Sequence, residues 1–224
     1  MLTTNYRYER KFFLDQLSVQ QLELILQLHP ANFKKIFQAR QINNIYFDTS
    51  QFRHYYDNLA GAEDRLKVRV RWYGDLNYLH KPQLEVKVKS ATVNKKLVQT
   101  INKISLNPIN INFSSKLNNK LLAIKFANLQ AVLLNSYQRQ YFQDFTGRFR
   151  ITIDTQLNFY PISSKKMVKF NQKIHVPGTI LELKYGPELD AEADQITSFF
   201  PFRLSRNSKY VMGISRLYPN LRIC

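Results

Sequence analysis

The stretch from Arg65 to Trp72, RLKVRVRW, places a cation at every second position: Arg65, Lys67, Arg69 and Arg71. Leu66, Val68, Val70 and Trp72 fill the positions between. Side chains on a strand alternate between faces, so one face here is apolar and the other is a ladder of like charge. A ladder of this kind can grip successive anionic groups. Arg binds phosphate oxygens through a planar fork, and Lys acts as a compact point charge. Arg69 and Arg71 lie about 6.6 Å apart along an extended strand, a spacing at which adjacent rungs can hold neighbouring phosphates.

The pattern recurs along the chain. Glu9 and Lys11 share a face opposite Tyr8, Arg10 and Phe12, and Glu85, Lys87 and Lys89 oppose Leu84, Val86 and Val88. Arg139 stands between Gln138 and Gln140; Arg148, Arg150, Thr152 and Asp154 oppose Phe149, Ile151 and Ile153; Glu182 and Lys184 oppose Leu181 and Leu183. Solvent-facing strand positions usually mix Ser, Thr, Gln, Lys and Glu. Here they carry mostly Arg and Lys with an occasional carboxylate, and those carboxylates are hard oxygen donors suited to a divalent cation or to ion pairs.

The whole chain is basic, with 33 Lys and Arg against 16 Asp and Glu and a net charge of +17, which predicts a polyanionic partner. Nucleic acid, an anionic membrane and a phosphate-rich small molecule all satisfy that. The single cysteine, Cys224, excludes an intrachain disulfide and a cysteine-based zinc site, and suits a reducing cytoplasm. The N-terminus is charged almost at once, unlike a signal peptide. No apolar run approaches the roughly 18 residues of a membrane span. The six glycines are isolated, so neither a P-loop nor a Rossmann fingerprint is present. His29, His54, His80 and His175 show no metal-ligand spacing.

The elements that must position these residues are mostly strands. Period-2 alternation predicts them over 6–14, 41–49, 65–74, 82–90, 135–144, 149–160 and 178–186, with an eighth in 95–101 or 165–172. Helices are expected over 18–29 with Ser18 as N-cap, 116–129, 189–200 with acids in the first turn, and 208–217. The Asn-rich stretch 102–119 reads as a surface loop. Strands so evenly spread favour one domain over residues 1–224, with a single antiparallel sheet closed on itself. The charged faces then point outward to solvent, or inward to line a tunnel. The inward arrangement is costly for an empty protein, and becomes favourable when a polyanion and a divalent metal occupy it.

In order along the chain, YERKF, IYFDT, YYDNLAGAEDRLKVRVRWYGD, LEVKVK, YQRQYF, RITIDT, LELKY and SRNSKYVMGI resemble the VTC domain, a polyphosphate polymerase of the triphosphate tunnel metalloenzyme (CYTH-like) superfamily. The match runs from about Tyr6 to about Ile214. The resemblance implies a mainly β (α+β) fold: an eight-stranded antiparallel β-barrel tunnel with a polar basic interior and helices packed outside. Lys11, Arg69, Arg71, Lys87, Arg139 and Lys209 fall where the family places its phosphate-coordinating cations. Arg65, Lys67, Lys89, Arg150 and Lys184 are further candidate phosphate ligands. Glu182 falls at the family's metal-binding glutamate, with Glu9 beside it and Glu85 and Asp154 as further candidates. Arg7 stands where the triphosphatase branch has a second glutamate, which favours the VTC branch. Asn58 stands where a cation is expected in eukaryotic members.

The implied activity is metal-dependent transfer of the terminal phosphate of ATP, or another nucleoside triphosphate, to a growing inorganic polyphosphate chain, with Mn²⁺ or Mg²⁺ as cofactor. The alternatives are a triphosphatase acting on inorganic triphosphate or short polyphosphate, and a non-catalytic module binding polyphosphate or nucleic acid. No specific nucleic-acid partner is expected. The setting implied is cytoplasmic, and a membrane-protein partner that takes the product is left open. Tyr55 and Tyr56 read as core residues rather than a base-stacking pair, Asp48 as a turn residue, and Lys34, Lys35 and Arg40 as surface cations that can guide a polyanion towards the tunnel mouth.

Overall fold

The computed structural model describes residues 7–90, 94–101, 105–109, 126 and 128–221. The expected helix at 116–129 falls almost wholly outside them, as does Cys224.

Nine strands form one antiparallel sheet: β1 (Tyr8–Leu14), β2 (Lys34–Asp48), β3 (Arg65–Tyr73), β4 (Gln83–Lys89), β5 (Asn94–Thr100), β6 (Gln130–Gln143), β7 (Arg150–Pro161), β8 (Ile174–Val176) and β9 (Thr179–Tyr185). The main path runs β1-β9-β7-β6-β2-β3-β4-β5, with the short β8 beside β7. The eighth strand of the path is therefore the one at 94–100; residues 165–172 instead hold an isolated bridge at Val168 and a 3₁₀ turn at Phe170–Gln172.

Register settles the direction of the charged faces. Directly paired residues in an antiparallel ladder share a face. Lys11 pairs with Glu182, Glu182 with Thr152, Thr152 with Tyr141, and Asp154 with Arg139. Arg139 pairs with Arg40, Asn44 with both Asn135 and Arg71, Tyr46 with Arg69, Arg69 with Glu85, and Lys67 with Lys87. One continuous face thus carries all of these rungs. The sheet curls far enough that β1 meets β3 and β4 across the interior: Glu9 acts electrostatically on Lys87, and Lys11 on Lys67. The expected barrel closure differs in one detail. Among the described residues β1 and β5 share no ladder.

Helix α1 (Val19–Leu28) and helix α3 (Asp190–Ser198) cover the opposite, apolar face. Ser18 caps α1 as expected, and Gln21 reaches back to its backbone N–H in a capping box. Leu22, Leu26 and Ala193 bury against Phe12, Ile151, Leu181 and Leu183. Arg10, outward on β1, ties that strand to α3 through Asp190 (2.9 Å) and Asp194 (2.6 Å). Leu106, Ile109 and Phe126 cover the outer face of β3 and β4, against Val70, Trp72 and Leu84.

Helices α2 (Arg53–Leu59) and α4 (Lys209–Leu217) pack on the other side of the sheet from α1 and α3. Both close one end of the charged side of the sheet. Tyr210 stacks on Tyr46, with ring centroids 5.1 Å apart, and Ile214 joins Leu133, Phe159 and Ile180. Buried Asp48 holds this end together. Its carboxylate accepts from the backbone N–H groups of Thr49, His54 and Tyr55 and from the Tyr210 hydroxyl. Tyr55 packs in the same cluster and its hydroxyl meets Ser215 Oγ at 2.9 Å, so it is a core residue.

Candidate active site

Between α4 and the far mouth of the tunnel lies a layered set of ion pairs. Asp154 is fully buried, and both its oxygens are engaged by the Arg139 fork: Nε to Oδ1 at 2.5 Å and Nη2 to Oδ2 at 2.6 Å. Lys209, the first residue of α4, meets Asp154 at 2.5 Å and Glu182 at 3.3 Å. Arg139 and Lys209 both lie over the ring of Tyr137. The cap formed by Ser208 Oγ on the Val211 N–H starts α4 here, which aims Lys209 at the carboxylates.

Glu182 and Glu9 form the second group. Lys11 reaches Glu9 at 3.0 Å and Glu182 at 3.8 Å, while Lys184 reaches Glu9 at 3.4 Å and Glu182 at 3.0 Å. Two carboxylates thus share the same two lysines. Burial and Glu182 push the Glu9 carboxyl up, yet Lys11, Lys184 and Lys87 outweigh them and hold it at about 2. Burial likewise raises Glu182, and Lys209, Lys184, Arg139 and Lys11 bring it well below the usual carboxylate range. Both are ionised at neutral pH.

The third group sits on β3 and β4. Arg69 donates from Nε (2.7 Å) and Nη2 (2.5 Å) to Glu85 Oε2, and Lys96 on β5 meets Glu85 Oε1 at 3.1 Å. Arg71 is buried; it donates to Asn44 Oδ1 at 2.8 Å and to the Tyr137 hydroxyl at 3.3 Å. Lys67 pairs with no acid among the described residues and donates to Ser208 Oγ at 3.0 Å. Burial, then repulsion from Lys11, Lys87, Arg65 and Arg69, pushes the Lys67 ammonium down to about 7. Lys87 is exposed to the tunnel's solvent; burial within the ring of protein around it lowers it to about 8, with Arg69, Lys11 and Lys184 outweighing the pull of Glu9. A site holding lysines at such values is short of negative charge.

The structure therefore brings together Lys11, Lys67, Arg69, Arg71, Lys87, Arg139, Lys184 and Lys209 with the four carboxylates Glu9, Glu85, Asp154 and Glu182. Arg65 is turned onto the backbone carbonyls of Gly61 and Ala62, away from this set. Lys89 and Arg150 are exposed at the strand ends. Arg150 lines a mouth cavity of about 400 Å³ with Arg7, Arg148 and Lys184. Asn58 is spent on structure: its amide donates to the carbonyls of His54 and Leu66, pinning α2 to β3.

Sequence reasoning missed Lys96, Ser208, Tyr137, Asn44 and Thr152 as members of the site. The buried Thr152 hydroxyl and Asn135 amide nitrogen face the same interior and have no hydrogen-bond partner among the described residues. Their alternation with apolar neighbours placed Thr152 on the charged face, but a neutral hydroxyl in a strand carries no further signal.

Glu9 and Glu182 fit a divalent cation in chemistry. They are ionised, hard oxygen donors close enough to share Lys11 and Lys184. Among the described residues no group of three or more His, Cys, Asp or Glu side chains could enclose a metal, so substrate oxygens would have to complete the shell. Among the described residues, no helix is long and apolar enough to cross a membrane.

Solved structures share the fold at low sequence identity. One, named as a candidate adenylate cyclase from Vibrio parahaemolyticus, is 13% identical with a TM-score of 0.51, covering 94% of this chain and 99% of its own. Another, a candidate adenylyl cyclase from Hippeastrum described as having a dominant triphosphatase activity, is 14% identical with a TM-score of 0.53, covering 96% and 99%. No curated sequence matches significantly. The model of the VTC domain matches residues 6–218, nearly the whole chain. With the motifs in order and the family model matching almost from end to end, the chain belongs to the VTC-domain family.

Proposed function

We propose that the protein is a polyphosphate polymerase that transfers the terminal phosphate of ATP to a growing inorganic polyphosphate chain. The observation that carries this reading is the excess of inward cations over carboxylates, extended along the tunnel. On β3 alone the inward cations Lys67, Arg69 and Arg71 span about 13 Å, room for several successive phosphates. Membership of the VTC-domain family supports it.

Phosphoryl transfer asks the protein mainly to position its reactants and to neutralise charge on the phosphoryl oxygens. Asp154 and Glu85 act as orienters: each grips one arginine and leaves the rest of that guanidinium facing the tunnel. Arg139, Arg71 and Arg69 then hold phosphate oxygens on neighbouring rungs. Lys11, Lys209 and Lys87 add point charges, and Thr152 and Asn135 offer hydrogen bonds. Glu9 and Glu182 would hold Mg²⁺ or Mn²⁺, which would supply positive charge to offset that of the phosphate oxygens. The nucleophile is the terminal phosphate of the acceptor chain, so no covalent protein intermediate is required. Cations already paired with carboxylates keep the empty site folded, and incoming phosphates compete for them. A cytoplasmic location follows from the need for ATP.

Incubation with ATP and Mn²⁺, followed by gel electrophoresis of the products, tests this directly. ADP and long polyphosphate are expected. Orthophosphate as the sole phosphate product would instead establish the hydrolase. Glu182→Ala is expected to abolish turnover while the fold persists; full activity would overturn the metal assignment. A non-catalytic module would show no turnover, with binding that survives this substitution.

A further inference from the structure

At the mouth opposite α4 the inward rungs of β3 and β6 change from cations to aromatics. Tyr141 follows Arg139 by one rung on β6, Tyr73 follows Arg71 by one rung on β3, and Arg40 pairs with Arg139 in the β2–β6 ladder. Beyond them β2 carries Phe37, whose ring meets Tyr141 edge-on with centroids 5.8 Å apart. The Arg40 guanidinium lies 5.3 Å from the centre of the Phe37 ring and 5.7 Å from that of Tyr141. Two irregularities of register, between Lys35 and Phe37 and between Phe37 and Arg40, turn this part of the ribbon. Bulges of this kind re-aim side chains near functional sites. Phe37 is 51% exposed and Tyr73 40%. Both rings keep a large share of their surface open at the rim of a charged tunnel, where a ligand can reach it.

We propose that Phe37, Arg40, Tyr141 and Tyr73 form a stacking platform for the base of a nucleoside triphosphate whose phosphate tail enters between Arg71 and Arg139. This rests on the reading of the tunnel as a nucleotide-using phosphate site, and adds the group that distinguishes a nucleotide from bare triphosphate. The distances are consistent. One rung is about 6.6 Å, so the platform begins one rung beyond the arginines and reaches outward, where the ribose and base of a nucleotide must lie. Aromatic faces and a guanidinium plane are the surfaces on which bases stack, and they do so without selecting a particular base. The platform therefore recognises nucleotides as a class. The alternative occupant of an exposed aromatic rim, a second copy of the chain, would bury the same rings without any nucleotide.

The experiment is equilibrium binding of ATP and of inorganic triphosphate by calorimetry, without divalent metal so that neither turns over, on wild type, Phe37→Ala and Phe37→Tyr. The chain is monitored by light scattering over the same concentrations. Phe37→Ala is expected to weaken ATP about tenfold while leaving inorganic triphosphate unchanged, since one base–aromatic stack contributes about 1–3 kcal/mol. Phe37→Tyr, which keeps the ring, restores ATP binding. An equal loss for both ligands, or no loss for either, overturns the platform. So does a self-association constant that falls with Phe37→Ala while the ratio of the two affinities stays fixed. Failure of the polymerase reading is separate: it appears in the wild-type product gel, whatever the ratio of affinities.

Discussion

Filling the tunnel with phosphate should draw protons out of solution. In the ligand-free protein Lys67 sits at about 7 and Lys87 at about 8. Lys67 is repelled by Lys11, Lys87, Arg65 and Arg69 and donates to Ser208; Lys87 is attracted by Glu9 and repelled by Arg69, Lys11 and Lys184. A polyanion among them favours the ammonium forms and returns both values towards that of an ordinary lysine. At pH 8 free Lys67 is about 0.1 protonated and free Lys87 about half, so binding takes up about 1.4 protons, of which Lys67 supplies about 0.9. At pH 7 the same arithmetic gives about 0.6. Glu9 and Glu182 are ionised throughout this range and contribute nothing. The assay is calorimetric titration with inorganic triphosphate at pH 8, well above the phosphate pKa of about 6, in buffers of different ionisation enthalpy. The slope of heat against buffer enthalpy counts the protons. Triphosphate affinity should also fall about 50-fold from pH 8 to pH 9, as both lysines lose their charge in the free protein. Lys67→Met should bring the count down to about 0.5. A slope of zero in the wild type would refute the claim that the empty tunnel is starved of anions, and with it the inward direction of the Lys67 rung.

The same depressed lysines fix the sign of a stability effect. Because folded Lys67 binds its proton more weakly than an unfolded lysine at 10.5, the ligand-free protein should melt at a higher temperature as pH rises from about 7 to about 10, and bound triphosphate should flatten that rise. Asp154→Asn leaves Arg139 and Lys209 without their buried partner, which costs about 3–5 kcal/mol and lowers the melting temperature by about 6–20 °C in differential scanning calorimetry. Arg71→Ala should raise the KM for ATP or lower kcat at least tenfold, and unchanged kinetics would place Arg71 outside the substrate path. Gly213→Ala puts a methyl group 2.5 Å from Phe159 and 2.7 Å from Leu133. The clash costs about 1–3 kcal/mol and exceeds the helix-propensity gain of about 1 kcal/mol. Melting curves and turnover should both fall, because α4 carries Lys209.

How far the sequence could be read follows from what alternation encodes. Period 2 says which residues share a face, so the cation ladders, the placement of Arg10 opposite Glu9 and Lys11, and the strands at 65–73, 83–89 and 179–185 were all legible. It does not say which face is concave. That depends on twist, and on irregular registers such as those between Tyr46 and Phe47 and between Ser136 and Gln138, which appear only once partners are known. Nor does alternation give pairing across the sheet. Alternation left Glu85 and Asp154 as further candidate oxygen donors behind Glu182 and Glu9, whereas register puts each of them directly opposite an arginine. Helix α2 escaped notice because its seven residues hold less than two helical turns of pattern, and its start is fixed by Asp48 on a neighbouring strand.

The placement of α4 shows why a chain can afford so many inward cations before substrate arrives. At its end of the tunnel Tyr210 and Ile214 bury against Tyr46, Leu133 and Ile180, supplying the apolar contacts that the charged rungs cannot. The same helix directs Lys209 onto Asp154 and Glu182 and supplies Ser208 to Lys67. Fold stability and site geometry are thus joined in one element. A substitution that loosens α4 on its apolar side, such as Gly213→Ala, must disturb phosphate handling as well as melting. A substitution confined to the exposed rim, such as Phe37→Ala, should leave melting unchanged.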